Sequence, residues 1–245
     1  MIRLNIEKTF CKDIPVIIVH PSGESLGPAV FYHGWSSRGE YQLSKAAVLA
    51  ANGYTVYLPD AINHGMRNQL CDYYKVEDYQ VFWETLFQNV NEFPKLVEFI
   101  RNRETEKIVI CGHSMGGMTV LGIASRYADD LKAVVSFNGS GDWLLTHLFM
   151  QARFGVYMKR DWEMYGKIEN QSPLAHIKDM TGIPILLTNG ESDTSIDPRA
   201  QAHFYESLKD GGGCVERITY PGLGHFVTTN MLDDAMNWLD SLKLK

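Results

Sequence analysis

The stretch IVICGHSMGGM (residues 108–118) places a serine between glycines where an apolar strand gives way to a helix-like pattern. The spacing is Gly112-x-Ser114-x-Gly116. A strand-to-helix turn this sharp tolerates almost no flanking side chains, and it lifts the serine hydroxyl above the sheet. The N–H of Met115, at the helix N-terminus, then faces any oxyanion formed at the serine. The spacing therefore predicts a nucleophilic serine, with a plain helix cap as the alternative.

The acid of a catalytic triad is expected after a later strand. A serine hydroxyl is a poor nucleophile near pH 7 unless a base takes its proton and a carboxylate orients that base. The stretch GESDTSIDP, which follows the strand IPILLTN, offers three carboxylates. Asp193 lies near the strand end and is preferred, with Glu191 as an outside candidate. Asp197 precedes Pro198 and is better explained as the N-cap of a helix with proline at its first position.

The candidate base is His225, which lies in a loop rich in glycine and proline after the last predicted strand. Its place beyond Ser114 and Asp193 gives the order serine, acid, histidine that this kind of turn requires. Five other histidines are less suitable, because they fall in a strand, in a helix, beside the serine or in the long segment before the acid. They are His20, His113, His147, His176 and His203.

A second oxyanion donor is expected from the loop after an earlier strand. The stretch FYHGWSS provides it, since a strand ends at His33-Gly34 and Trp35 follows. We expect the backbone N–H groups of Trp35 and Met115 to form the oxyanion hole, with the Trp35 indole bordering the acyl pocket. The alternative is a turn with an exposed tryptophan, which is costly without a purpose.

The order of elements predicts a mainly parallel sheet. Strands without polar alternation, separated by helices, indicate a sheet covered on both faces. The chain begins with a predicted hairpin of strands at 1–10 and 14–20. A later helix over 76–103 is interrupted or kinked at Pro94. Chemistry in such sheets collects at the carboxyl ends of strands, where the polar residues are His33, Asp60, Ser114, Asn138, Ser140, Asp193 and His225.

The alternation of strands and helices breaks between about 142 and 180 and then returns. This segment is aromatic, rich in methionine and mostly helical in pattern. We interpret it as an insertion of about forty residues between two late strands. The chain is therefore expected to be a single domain over 1–245.

Composition excludes several classes of function. The net charge is -6, and the sequence has no cluster of lysine and arginine that could bind the phosphates of a nucleic acid. We therefore expect no nucleic-acid partner. No apolar run approaches the ~18 residues that cross a membrane, and the first residues lack the plan of a signal peptide. The four cysteines form no CxxC pair, so no metal site is expected. These features favour a cytoplasmic protein.

These motifs together resemble the α/β-hydrolase superfamily. The branch is similar to small bacterial esterases related to dienelactone hydrolases and to the catalytic domain of prolyl oligopeptidases. The matching stretches, from about Val30 to Phe226, are YHGW, DAINHGMR, GHSMGG, GESD and GLGH. The resemblance implies an α/β-hydrolase fold, with a mostly parallel eight-stranded sheet, helices on both faces and a small helical lid formed by the insertion. In DAINHGMR it implies structural roles for His64 and Arg67.

The resemblance also implies a role for each site residue. Ser114 would be the nucleophile, His225 the general base and then acid, and Asp193 the orienting carboxylate, while Trp35 and Met115 would be the oxyanion donors. Such a carboxylesterase-like serine hydrolase forms an acyl-enzyme and needs neither a metal nor an organic cofactor. The expected partner is a small-molecule ester.

The predicted insertion could also line the substrate pocket. Trp143 and Phe149, beside Trp35, are the main candidates, and the others are Leu144, Leu148, Met150, Phe154, Tyr157, Met158 and Trp162. The expected substrates are small to medium acyl esters, because a peptide substrate would require an open groove or an extra gating domain. Two alternatives are a peptidase or amidase of the prolyl oligopeptidase type and a non-catalytic binding protein on the same scaffold.

Overall fold

The computed structural model describes residues 5–75, 79–155 and 163–242. Within them eight strands form one sheet: β1 Asn5–Cys11, β2 Ile14–His20, β3 Pro28–Tyr32, β4 Thr55–Pro59, β5 Ile108–His113, β6 Leu131–Phe137, β7 Ile185–Gly190 and β8 Val215–Tyr220. The helices in the same residues are α1 Leu43–Ala51, α2 Tyr79–Arg101, α3 Met115–Ala124, α4 Trp143–Phe154, α5 Glu163–Gln171, α6 Pro198–Asp210 and α7 Thr229–Leu242. Short 3₁₀ turns lie at Gly39–Gln42, Ala128–Asp130 and Pro173–Met180.

The sheet order is β1-β2-β4-β3-β5-β6-β7-β8. β1 and β2 pair antiparallel, and so do β2 and β4. Every other neighbouring pair is parallel. The strands from β3 to β8 therefore end at the same edge of the sheet, and the polar residues that follow them can meet there.

Helices cover both faces of this sheet. Alternate residues of a strand point to opposite faces, and in β5 Ile108 and Ile110 belong to one apolar core whereas Val109 and Cys111 belong to the other. The first core contains residues of α2, α3 and α6, and the second contains residues of α1 and α7. The predicted fold, a mostly parallel eight-stranded sheet with helices on both faces, is confirmed.

Helix α2 runs from Tyr79 to Arg101 with Pro94 inside it. Of the two outcomes expected at Pro94, the interruption is wrong and the kink stays a prediction. A proline in a helix interior costs about 3 kcal/mol through its lost hydrogen bond and its ring clash. The amphipathic face of α2 offsets this cost, because Trp83, Phe93 and Ile100 are fully buried in the first core. Positions 76–78 of the predicted helix and 1–4 of the predicted hairpin lie outside the described residues.

The predicted insertion lies between β6 and β7 and contains α4, α5 and the turn Pro173–Met180. The Asp142 carboxylate begins α4 by accepting the Leu145 N–H at 2.9 Å. Residues 156–162, between α4 and α5, lie outside the described residues, and the assignment of the insertion to a lid stays a prediction. Across the described ranges, no helix combines the length and the apolar run that crossing a bilayer requires.

Candidate active site

Ser114 stands in the bend between β5 and α3 with φ 59° and ψ −121°, a backbone that side chains of the L series rarely adopt. Two hydrogen bonds of 2.9 Å hold the bend: the Ser114 N–H donates to the Phe137 carbonyl, and the Met118 N–H donates to the Ser114 carbonyl. The turn is so tight that a Cβ on Gly112 would lie 2.2 Å from the Gly116 carbonyl oxygen. The two glycines are therefore what allows the bend to close.

Replacing Gly116 by alanine is expected to destabilise the protein strongly. The added Cβ would lie 2.1 Å from the Tyr32 carbonyl oxygen, and backbone on both sides cannot move aside cheaply. We expect a loss of at least about 2 kcal/mol, or a drop in Tm of roughly 5 °C or more. The matched control is Gly166→Ala in α5, whose Cβ would meet nothing within 4 Å. Equal melting temperatures for the two variants by circular dichroism would contradict the steric argument.

Three side chains from distant parts of the chain meet above the sheet. His225 Nε2 lies 2.8 Å from Ser114 Oγ, and His225 Nδ1 lies 2.6 Å from Asp193 Oδ2. An ionised carboxylate can only accept, so Nδ1 carries the proton and Nε2 is left to accept from the serine hydroxyl. The Asp193 side chain is completely buried, whereas 21% of the His225 side chain is exposed. The arrangement can therefore take a proton from an alcohol at a site that solvent reaches.

The three carboxylates after β7 have separate partners. The second oxygen of Asp193 accepts the N–H groups of Ser195 and Ile196 at 2.7 and 3.1 Å, which fixes its orientation toward the imidazole. Asp197 instead caps α6 by accepting the Arg199 N–H at 3.0 Å, as its place before a proline predicts. Glu191 accepts from the Thr219 hydroxyl at 3.0 Å.

Most of the remaining histidines have structural partners. His33, fully buried, accepts the Ala61 N–H at Nε2 and contacts the Gly34 carbonyl oxygen through Nδ1. His203 lies in α6 and pairs with Asp142 at 2.7 Å.

The DAINHGMR loop is held by ion pairs and buried contacts. Arg67 donates to both oxygens of the buried Glu92 at 2.8 Å, tying the loop to α2. His64 is fully buried, and its ring lies against those of Trp35 and Tyr73. These contacts are structural, in line with the expectation for both residues.

The expected oxyanion donors lie in two segments close to the serine: Trp35 follows Gly34, and Met115 directly follows Ser114. A Cβ on Gly34 would lie 3.1 Å from the Ser114 Cβ, so the loop that carries Trp35 passes directly over the serine. Met115 is the first residue of α3, and a first-turn N–H has no acceptor inside its own helix. Both N–H groups are thus placed in segments next to the Ser114 hydroxyl.

The Trp35 side chain is half-buried. Its indole N–H donates to the Tyr73 carbonyl at 2.7 Å, and its ring makes edge-on contacts with His64, Tyr73 and Phe82. These partners fix the ring on the loop that passes over Ser114. Its role as a wall of the acyl pocket stays a prediction.

Trp143 does not line a pocket in this structure, and that prediction is wrong. The side chain is fully buried, with its ring against Trp83 and Phe87 and over Gly122. It faces the core because it begins α4, and the first turn of that helix packs onto α2 and α3. The sequence pattern cannot separate this orientation from one toward a substrate, since both require a large apolar residue.

The other pocket candidates of the insertion have different surroundings. Phe149 is half-buried, and the Arg199 guanidinium lies 4.4 Å from its ring centroid. Leu144 and Leu148 line a surface groove with Asp142 and His203 that none of the three triad side chains lines. Tyr157, Met158 and Trp162 lie outside the described residues, as does the side chain of Phe154.

Two residues beside the triad had no role assigned from the sequence. The ring of His113 lies 4.9 Å from that of His225, centroid to centroid. Burial lowers the pKa of His113 to about 3, so this neighbour stays neutral and adds no positive charge beside the base. The second residue is Asn138, whose side chain hydrogen-bonds to Gly190 and Phe226 in the loops of Asp193 and His225. It directly follows a predicted strand, and this position is the sequence signal that could have identified it.

Buried histidines are expected to make the protein sensitive to acid. Burial lowers the pKa of His33, His64 and His147 to about 4, from an ordinary value of 6.5. Between those values the unfolded chain binds more protons than the folded one. Stability is therefore present above about pH 6.5 and is lost as pH falls toward 4, by up to ~1.4 kcal/mol per pH unit for each histidine.

The measurement is Tm against pH, with His64→Phe as the comparison. This variant keeps an aromatic ring among Trp35 and Tyr73 but removes one group that protonates on unfolding. We expect the loss of Tm between pH 7 and pH 5 to be smaller in the variant. Identical slopes for the variant and the wild type would contradict the assignment.

The sequence matches the model of the prolyl oligopeptidase family over residues 41–241. It is 28% identical to the esterase YjfP of Escherichia coli (strain K12) over an alignment of 250 positions, which covers 96% of this chain and 98% of that protein. The fold is similar to that of TT1662 from Thermus thermophilus, with a TM-score of 0.80, 17% identity and 98% of both chains covered. It is also similar to Est1E from Butyrivibrio proteoclasticus with ferulic acid bound, with a TM-score of 0.76, 15% identity and coverage of 98% and 100%. Because the family match includes β5, the Ser114 bend and everything that follows as far as α7, the chain belongs to the prolyl oligopeptidase family of the α/β-hydrolase superfamily.

Proposed function

We propose that the protein is a serine hydrolase that cleaves small to medium acyl esters through an acyl-enzyme. The observation that carries the proposal is the unbroken chain of contacts from Ser114 Oγ through His225 to the buried Asp193, at 2.8 and 2.6 Å. In this arrangement Ser114 is the nucleophile, His225 is the general base and then the general acid, and Asp193 holds the imidazole in the right tautomer.

In the first half of the reaction, the Ser114 hydroxyl attacks the ester carbonyl carbon while His225 Nε2 takes its proton. The carbonyl oxygen becomes an oxyanion, to which the N–H groups of Trp35 and Met115 donate. The carbon–oxygen bond to the alcohol then breaks, and the imidazolium gives its proton to the departing alcohol. The products of this half are the free alcohol and an acyl group esterified to Ser114.

In the second half, water replaces the alcohol. His225 takes a proton from the water as it attacks the acyl-enzyme, and the same N–H groups stabilise the second oxyanion. The bond to Ser114 Oγ breaks, the imidazolium returns a proton to that oxygen, and the carboxylic acid leaves. Every proton is held and passed by groups of this chain.

Esters are favoured over peptides by the relative that matches almost end to end. That protein is named an esterase, and it is 28% identical to this chain over an alignment that covers 96% of it. The family is named for an oligopeptidase, so a peptidase or amidase is the second candidate. The proposed partner is therefore a small-molecule ester. The free state of Cys11, Cys71, Cys111 and Cys214 favours the cytoplasm as the place of action.

The test compares ester and amide substrates with the same acyl group. Purified protein is assayed with p-nitrophenyl esters from acetate to octanoate and with the corresponding p-nitroanilides, and a fluorophosphonate probe is mapped by peptide mass spectrometry. We expect kcat/KM to be highest for an ester within this range, with the probe on Ser114. No turnover at any chain length together with no labelling would support a binding protein, and preferred hydrolysis of the anilides would support a peptidase.

A further inference from the structure

Asn138 makes an unusual set of contacts at the carboxyl edge of the sheet. It follows β6 directly, is fully buried and has φ +47°, a left-handed backbone that asparagine tolerates better than most residues. Its side-chain oxygen accepts the Gly190 N–H at 3.0 Å, and its side-chain amide donates to the Phe226 carbonyl at 2.8 Å. Both hydrogen-bonding ends of one buried side chain are thus used, on two different loops.

These two loops carry the partners of the serine. Gly190 ends β7 and leads into Asp193, and Phe226 directly follows His225. The residue before Asn138 is connected to the serine as well, because the Phe137 carbonyl accepts the Ser114 N–H at 2.9 Å. Two consecutive residues therefore hydrogen-bond to all three segments that supply the triad.

The contacts of Asn138 differ from a backbone hydrogen bond that also joins these loops. The Ser192 N–H donates to the Leu223 carbonyl at 2.9 Å, which joins the acid loop to the start of the histidine loop. That bond lies before His225 in the chain, whereas the Asn138 amide holds the carbonyl of the residue immediately after it. The imidazole is thus held from both sides. Among the hydrogen bonds of the described residues, only that of the Asn138 side chain joins Phe226 to the end of a strand, while Val227, the next residue, makes apolar contact with the second core.

We propose that Asn138 is a positioning residue for the hydrolysis, one that holds the Phe226 carbonyl and so keeps His225 Nε2 at hydrogen-bonding distance from Ser114 Oγ. It touches neither the reacting atoms nor the substrate. This inference rests on the proposed function. Without the hydrogen bond from Asn138 to Phe226 the imidazole can move away from Ser114 Oγ. A displacement of about 1 Å lowers the rate on the order of 10²-fold.

Two substitutions distinguish the effect of the Asn138 side-chain hydrogen bonds from the effect of its backbone conformation. Asn138→Gly keeps a residue that adopts φ +47° without strain but removes both side-chain bonds. Asn138→Asp keeps the shape and the acceptor for the Gly190 N–H, but places a carboxylate oxygen against the Phe226 carbonyl oxygen. If the glycine variant folds poorly, the aspartate variant tests the same bond to Phe226.

The matched control is Ser125→Ala. It also removes a buried hydrogen bond, from the serine hydroxyl to the Gly122 carbonyl at 2.9 Å, but at the far end of α3 from Ser114. Each variant is assayed with the best p-nitrophenyl ester at a temperature where circular dichroism shows it folded. The rate of fluorophosphonate labelling is measured in parallel, because it reports the reactivity of the serine without turnover.

We expect kcat and the labelling rate of both Asn138 variants to fall by about 10²-fold with KM within about twofold, and those of Ser125→Ala to change by less than about twofold. Three results would overturn the inference and leave the proposed function standing. They are a wild-type kcat in either folded Asn138 variant, a fall in kcat/KM that comes from a higher KM, and an equal fall in kcat in Ser125→Ala. A wild-type protein that neither hydrolyses esters nor labels at Ser114 would overturn both.

Discussion

Replacing Ser114 by alanine is expected to lower kcat for the best ester by at least about 10⁴-fold and to abolish fluorophosphonate labelling. The substitution removes the atom that forms the acyl-enzyme and leaves His225, Asp193 and the oxyanion donors in place. What remains is the stabilisation of the oxyanion and the binding of substrate, which alone give only slow attack by water. The loss should therefore appear in kcat while KM changes little.

Folding provides the check on this prediction. The bend at Ser114 is held by backbone bonds to Phe137 and Met118, which alanine keeps, so we expect Tm to change by only a few degrees. Ser125→Ala makes the same chemical change just beyond the opposite end of α3 and should retain activity and labelling. Substantial turnover by a folded Ser114→Ala variant would mean that another group is the nucleophile.

Asp193→Asn is expected to lower kcat by about 10⁴-fold. The side chain of Asp193 accepts the Ser195 and Ile196 N–H groups through one oxygen and faces His225 Nδ1 with the other. An asparagine keeps its oxygen on the two N–H groups and so points its amide at Nδ1. The imidazole must then carry its proton on Nε2, where it can no longer accept the proton of Ser114.

Asp197→Asn is the matched control, because the same atoms change four residues along the chain. Asparagine is as good an N-cap as aspartate, so the Arg199 N–H keeps its acceptor and stability should fall by no more than about 1 kcal/mol. We expect kcat within about threefold of the wild type. Equal losses in the two variants would contradict the assignment of Asp193, and a loss confined to Asp197→Asn would reverse it. The measurements are steady-state kinetics and thermal unfolding.

Much of the site could be predicted from the sequence because a parallel sheet brings strand ends together. Ser114, Asp193 and His225 each follow a strand, and the structure places them in contact. Asp197 could be separated from Asp193 by local chemistry alone, since a helix cap with a following proline depends only on neighbours in the chain. Such features need no knowledge of long-range packing.

The rest depends on contacts that local patterns do not encode. Pro94 predicts an interruption or a kink in α2, yet the helix continues through it, because the burial of one helix face outweighs the local penalty. Trp143 is a large apolar residue of the kind that lines a pocket, but the orientation of its side chain is set by contacts with Trp83 and Gly122. Both residues are distant from it in the sequence. Asn138 is visible as a polar residue after a strand, but its two loop partners become known only once those loops are folded onto it.

The contact between Ser114 and His225 spans 111 positions of the chain. During synthesis the serine is made before the histidine, and a domain folds as a unit once its segments are present. The nascent chain thus carries an unactivated hydroxyl until β8 and the histidine loop join the sheet. Reactivity toward esters, and toward any electrophile that would acylate the serine prematurely, begins only after His225 has reached Ser114.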